Sequence, residues 1–405
     1  MPSIRDYGAI VGEDTIDELF ALAERLEHRS MLHVNSTAVG GGVAEILSRF
    51  MPLLKELGLD VRWDVIRGGR DFFTITKNFH NALQGNPFEF SPDMLETYIK
   101  NNRMNAEEID FDKDVIIIHD PQPAALIEEK IDDRPWVWRC HIDISSPDIK
   151  LWEFLKQFVS RYDAAIFSKP AFSRPDLKVK QYMIAPSIDP LSEKNRDMTE
   201  DEVEEVLDRF GISTDVPIVC QVGRFDRFKD PIGVIKAYKR ARERVKCQLV
   251  LWGSMATDDP EGMEVYKEVQ KAAEGEEGIT LLTEISDMGI NAIQRASAVV
   301  LQKSLKEGFA LTVSEALWKG TPVIGGAVGG IPLQIKNGIT GYLVHSVEGT
   351  ANAIVKLLRN PDLAQRLAEN GREHVRRNFL LTRHMRDYLL LMHTLEHPGE
   401  NFIQL

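Results

Sequence analysis

Pro217-Ile218-Val219-Cys220-Gln221-Val222-Gly223-Arg224-Phe225-Asp226-Arg227-Phe228-Lys229-Asp230-Pro231 sets the architecture of this chain. Residues 217–222 form a short, mostly apolar run, which predicts a buried strand. A glycine and a charged loop follow, and Asp230 as N-cap with Pro231 in the first helical position opens a helix. A strand buried on both faces that feeds directly into a helix is the repeating unit of a parallel sheet covered on both sides.

The same rhythm continues in both directions. Downstream, strands are predicted at 248–253, 279–283, 298–302, 322–325 and 342–345; upstream, at 31–35, 61–66, 115–119, 136–141 and 164–167. Amphipathic stretches lie between them, notably 44–57 and 151–159, and helices are predicted at 363–378 and 383–397. The pattern breaks at Pro186 and Pro190 before the charged stretch 193–205, which marks a hinge. The expected organisation is α/β, with two doubly wound Rossmann-like domains, 1–188 and 189–382, facing across a cleft. The terminal helix, 383–405, is a candidate strap back onto the first domain.

With 405 residues, two to three domains are expected at roughly 150 residues each. Lys plus Arg number 49 and Asp plus Glu 62, a net charge of −13. That sign disfavours general binding to nucleic acid or anionic membranes, so any bound anion needs a local basic site. Apolar residues at 43% and charged residues at 27% are those of a globular protein. Cys140, Cys220 and Cys247 are widely spaced, which argues against a disulfide framework or a cysteine zinc site. No signal peptide or membrane-spanning run is read, and the expected location is the cytoplasm. Nothing in the sequence specifies oligomeric state; a homodimer is the working expectation.

Ligands of open parallel sheets bind beyond the carboxyl ends of the strands. Arg224 and Lys229 stand on such a strand-to-helix loop, where a planar guanidinium and a mobile ammonium can neutralise a diphosphate. Taken alone, they read rather as solvated loop cations, with Arg227 a third. Glu307-Gly308-Phe309-Ala310-Leu311-Thr312-Val313-Ser314-Glu315 follows the strand at 298–302. Gly308 allows close backbone approach, and a helix starting near Leu311 or Thr312 aims free amides at a ligand. Glu307 reads either as an acceptor of hydrogen bonds from hydroxyls or as a loop surface carboxylate. Glu315 meets another part of the ligand, or else closes a capping box with Thr312. Gly325-Gly326-Ala327-Val328-Gly329-Gly330 lines the same edge or is a plain turn.

In the first half, Gly40, Gly41 and Gly42 follow the first strand and either let amides approach phosphate or form a plain tight turn into a helix. A G-x-G-x-x-G dinucleotide fingerprint lacks its third glycine, since position 45 is Glu45. Asp120 and His141 project from neighbouring strand ends and are candidates for polyol hydroxyls, His141 also for steadying developing charge; each is equally readable as a structural residue. Asp110-Phe111-Asp112 has a metal-binding D-x-D form but precedes its strand, so it reads as a solvated turn and no metal site is predicted.

Taken together, Gly223-Arg224-Phe225, Lys229-Asp230, residues 307–312, Glu315-Ala316-Leu317 and Gly320-Thr321-Pro322-Val323-Ile324 resemble the retaining GT-B glycosyltransferases that include sucrose, glycogen and trehalose-type synthases. Leu32-His33-Val34-Asn35-Ser36-Thr37, residues 40–47 and Trp138-Arg139-Cys140-His141-Ile142-Asp143 are similar to the archaeal trehalose glycosyltransferring synthases across nearly the whole chain. The resemblance implies that Arg224 and Lys229 hold the donor diphosphate and that Gly41 and Gly42 close over it. It implies that Glu315 binds ribose, and that Glu307 binds the transferred glucose with amides of Gly308, Phe309, Ala310 and Leu311. Asp120 and His141 would meet the acceptor, with His141, Arg224, Lys229 and Glu307 the catalytic set. Where the family motif has Gly, this chain has Ala310.

The implied reaction joins NDP-glucose (UDP-, ADP- or GDP-glucose) and glucose into α,α-trehalose with retention, reversibly, with no required cofactor or divalent metal. Base selectivity would rest on the loop 283–287. Competing readings are a trehalose phosphorylase, an NAD-dependent oxidoreductase using the Gly40 loop, and a non-catalytic sugar-binding protein.

Overall fold

The computed structural model describes residues 2–253, 260–284, 286–397 and 399. Of the segments singled out above, Ile285 of the 283–287 loop and residues 398 and 400–405 of the expected terminal helix lie outside this set. The chain divides into two compact units. One takes the chain up to Ser187 together with the helix Leu381–Glu396; the other runs Ile188–Leu380.

The first unit is built on six parallel strands, β1 (Ser30–Asn35), β2 (Asp60–Val65), β3 (Val115–His119), β4 (Trp136–Arg139), β5 (Ala164–Phe167) and β6 (Lys180–Met183). They lie in the order β2-β1-β3-β4-β5-β6. All residues of β3, β4 and β5 are buried, because helices such as Ile149–Val159 cover the sheet. Trp138, Phe167, Leu155 and Ile118 share its core. β6 was not foreseen: as an edge strand it is part exposed, and Lys180-Gln181-Tyr182-Met183 carries no apolar run. The terminal helix Leu381–Glu396 packs on the helices Glu13–Glu24 and Gly42–Glu56. His393 Nε2 meets the Leu22 carbonyl at 3.0 Å, and Tyr388 and His384 ring-pack on Phe50.

The second unit repeats the plan with β7 (Ile218–Val222), β8 (Gln248–Trp252), β9 (Ile279–Leu282), β10 (Ser297–Gln302), β11 (Val323–Gly326) and β12 (Tyr342–Val344). Its order is β12-β11-β10-β7-β8-β9, again all parallel. Val219, Leu249, Leu301 and Ile324 form its core with Tyr238 and Ile354 from covering helices.

In each sheet the strand order reverses once, between β1 and β3 and between β7 and β10. At such a reversal the loops leaving adjacent strands run to opposite faces and open a crevice at the carboxyl edge. The loops leaving β1, β3, β7 and β10 carry Gly40–42, Asp120, Arg224 with Lys229, and Glu307. No helix among the described residues is long and apolar enough to cross a membrane.

Candidate active site

In the first unit, the turn after β1 is held by Asn35, whose Nδ2 donates to the Thr37 carbonyl at 2.8 Å and whose Oδ1 accepts from Trp63 Nε1 at 2.8 Å. Gly40 and Gly41 have φ of 75° and 82°, a region that side chains disfavour, which accounts for the glycines. Gly41 caps the helix Gly42–Glu56 with no side-chain hydrogen bond, so its leading amides remain available to an anion.

Asp120 follows β3 with φ 64°. It is locked there: its amide donates to the Arg139 carbonyl at 2.7 Å, its carbonyl accepts from Trp138 Nε1 at 2.9 Å, and its Oδ1 accepts from the His141 amide at 2.8 Å. Burial pushes the carboxyl up to about 6, against the opposing pull of the His141 bond. Asp120 and His141 are therefore brought together, but through the histidine backbone. The His141 ring points elsewhere: its Nε2 lies 2.9 Å from His119 Nδ1, and His119 Nε2 lies 2.8 Å from His33 Nδ1. Burial holds all three well below the usual histidine range, His33 down to about 3, so they are neutral.

Arg139, at the end of β4, is 0% exposed, and none of its three guanidinium nitrogens has a partner among the described residues. Its charge further disfavours protonation of His119 and His141. Asp110 and Asp112 precede β3, at the end of the strand opposite His119. They are engaged by Arg62 and Arg134 respectively.

In the second unit, Gln221 Nε2 donates to the Lys229 carbonyl at 2.7 Å and folds the β7 loop back toward its own strand. Asp230 is the N-cap of the helix Pro231–Arg242, accepting from the Gly233 amide at 3.0 Å. Its other oxygen meets Lys303, which leaves β10. Lys229 Nζ in turn meets Glu307 Oε2, which also accepts from Ser304 Oγ at 3.1 Å and Gln302 Nε2 at 3.3 Å. Two ion pairs thus tie the β7 and β10 loops across the reversal. Arg224 is exposed and lines a small pocket with Gly223, Lys229 and Trp252. Arg227 pairs outward with Glu264 and Glu268, as a surface cation does.

Gly308, Phe309 and Ala310 lead into the helix Leu311–Trp318. Ala310 is its N-cap at φ 69°, the conformation for which the family motif uses Gly. Gln334 fixes this loop by donating to the Phe309 and Ala310 carbonyls while accepting from Ser314 Oγ at 2.6 Å. The capping-box reading of Glu315 fails, because Thr312 lies inside the helix and the cap has no side-chain bond. Glu315 is instead 3% exposed and 3.7 Å from Lys194. The later glycines are more than a turn: a Cβ on Gly329 would sit 1.7 Å from the Glu307 carbonyl oxygen, and one on Gly330 2.6 Å from that of Gly308.

The description "Trehalose synthase, N-terminal domain" matches residues 33–174, and "Glycosyl transferases group 1" matches residues 202–374. The chain is 45% identical to the trehalose synthase of Pyrococcus horikoshii over 399 residues, covering 97% of this chain and 96% of the relative. It belongs to the trehalose synthase family of glycosyltransferases. The trehalose synthase of Thermococcus litoralis is 44% identical over 398 residues, with 96% and 97% covered. Sucrose-phosphate synthase from Thermosynechococcus elongatus aligns with a TM-score of 0.69 at 20% identity, over 92% of this chain and 100% of that one. The fold is GT-B.

Sequence reasoning missed the supporting residues His33, His119, Lys303, Gln302, Ser304, Gln334 and Lys194. Met31, His33 and Asn35 alternate along β1, so the polar row was visible, but its partners are set by strand neighbours.

Proposed function

We propose that this chain makes α,α-trehalose reversibly from NDP-glucose and glucose with retention at the transferred anomeric carbon. The observation that carries this reading is the Lys229–Glu307 pair at the β7/β10 reversal beside Arg224. A diphosphate-seeking cation and a hydroxyl-accepting carboxylate meet there in one loop cluster of a chain whose relatives are trehalose synthases. Arg224 and Lys229 take the diphosphate, Glu315 the ribose, and Glu307 with the 308–311 amides the glucosyl hydroxyls; Gly41 and Gly42 of the first unit add amides for phosphate, and Asp120 and His141 take the acceptor.

Glu307 Oε2 already has three donors, which suits hydroxyl binding better than nucleophilic attack. The step is therefore a front-face substitution. The acceptor oxygen bonds to the donor anomeric carbon as the bond to diphosphate breaks, and the hydroxyl proton passes to the departing diphosphate. Arg224, Lys229 and the N-terminus of Leu311–Trp318 stabilise the growing negative charge, so the route requires no divalent metal.

Incubation with UDP-, ADP- or GDP-glucose plus glucose is expected to release NDP and α,α-trehalose in equal amounts. Trehalose cleavage by inorganic phosphate alone would replace this reading with a phosphorylase. NADH binding in a fluorescence titration would point to an oxidoreductase, and nucleotide-sugar binding without NDP release to a sugar-binding protein.

A further inference from the structure

A line of three imidazoles in contact has two possible directions of hydrogen bonding, and here its far end selects one. His33 Nε2 lies 2.7 Å from Met31 Sδ, and a thioether can only accept. All three rings are neutral, as described above, so each carries one N–H. Placing the His33 proton on Nε2 makes its Nδ1 an acceptor, which requires His119 to donate from Nε2. His119 Nδ1 then accepts, which requires His141 to donate from Nε2. The opposite direction would set two lone pairs, those of Met31 Sδ and His33 Nε2, against each other.

Among the described residues, the ring nitrogens of the line hydrogen-bond only to one another and to Met31 Sδ. Arg139 stands on β4, and His384 and Tyr388 face the cluster from the terminal helix; His384 Nδ1 is occupied with the Ala185 carbonyl at 3.1 Å. Asp120 touches His141 only at the backbone amide.

We propose that Met31, His33 and His119 are positioning residues that hold His141 as its Nε2–H tautomer, so that Nδ1 meets a hydroxyl of the bound sugar as an acceptor only. This rests on the function proposed above. A hydroxyl can donate to such a nitrogen, whereas a fluorine in its place cannot. The relay therefore favours sugars that keep that hydroxyl over deoxyfluoro analogues.

The test uses the full-length protein with ¹⁵N-labelled histidine, the His141 signals being assigned by their loss in His141→Gln. The expected result is a pyrrole-type shift at Nε2 and a pyridine-type shift at Nδ1; the reverse pattern overturns the proposal. In Met31→Leu, close to isosteric, loss of the acceptor is expected to bring up the second tautomer and to lower kcat about fivefold with KM little changed. A single unchanged tautomer with unchanged kcat also overturns it. If the wild type transfers no sugar at all, the proposed function fails on that ground, and the ring shifts still decide the relay separately.

Discussion

Lys229→Ala separates the chemical role of a residue from its structural one. In the fold Lys229 meets Glu307 Oε2, and its side chain is 22% exposed. On truncation, that oxygen keeps Ser304 Oγ at 3.1 Å and Gln302 Nε2 at 3.3 Å, so the carboxylate is not stranded. The Gln221 bond to the Lys229 carbonyl is a main-chain contact and survives. The stability cost is therefore put at about 1–2 kcal/mol, below the 3–5 typical of a fully buried broken pair. On the proposed mechanism turnover should suffer far more, because one of the two cations assigned to the departing diphosphate is removed. By analogy with loss of one oxyanion donor, kcat falls about 10²–10³-fold, or roughly 3–4 kcal/mol of transition-state stabilisation. Arg227→Ala, in the same loop but paired outward with Glu264 and Glu268, serves as control and should stay within about twofold of wild type. The assay is steady-state trehalose formation alongside thermal unfolding. Trehalose formation by the Lys229 variant within about threefold of wild type, with the fold intact, would refute leaving-group stabilisation by this side chain.

Acid should destabilise the first unit. His33, His119, His141 and His384 are held below their ordinary values by burial, so their contribution is full above about pH 6.5 and is lost on acidification as the unfolded chain takes protons the fold refuses. Asp120, raised to about 6, acts in the opposite sense and recovers stability as pH falls toward its unfolded value of 3.8. The four histidines outnumber Asp120, so the stability of the first unit should fall between pH 7 and 5; a urea midpoint flat over that range would contradict it. Asp120→Asn can keep the His141 amide bond and tolerate φ 64° while removing a buried charge. The rise of its carboxyl from 3.8 to about 6 sets a ceiling of about 3 kcal/mol. The variant should therefore be about 1–3 kcal/mol more stable at pH 7 yet turn over poorly, and an unchanged melting temperature would count against the raised pKa. Ala310→Gly should gain up to about 1 kcal/mol with activity retained, and Ala310→Val should lose more than about 1 kcal/mol, both read from thermal unfolding.

Much of the architecture could be read because buried parallel strands are written as unbroken apolar runs. Val115–His119 and Ala164–Phe167 matched their predicted ends, and most of the others fell within a residue or two. β6 escaped because an edge strand with one neighbour need not be apolar. The loop residues Arg224, Lys229 and Glu307 stood out only through the order and spacing of the motif around them, since charge in a surface loop is ordinary. Lys303, Gln334 and the histidine line did not: their roles depend on which strands and loops become neighbours, and Lys303 looks like any other lysine until Asp230 lies beside it. The capping-box reading of Glu315 turned on a single residue in the helix start, a margin finer than sequence pattern resolves.

The helix Leu381–Glu396 belongs to the unit that begins the chain, and Tyr388 and His384 cover Phe50 while Tyr388 also packs beside His33. During synthesis at about 5–20 residues per second, the first unit must therefore wait until the whole of the second has been made before its last wall arrives. The later-made body, complete by Leu380, can finish first. Nascent chains stalled just short of the final helix should accordingly show the second body protease-resistant and the first still open to cleavage around β1.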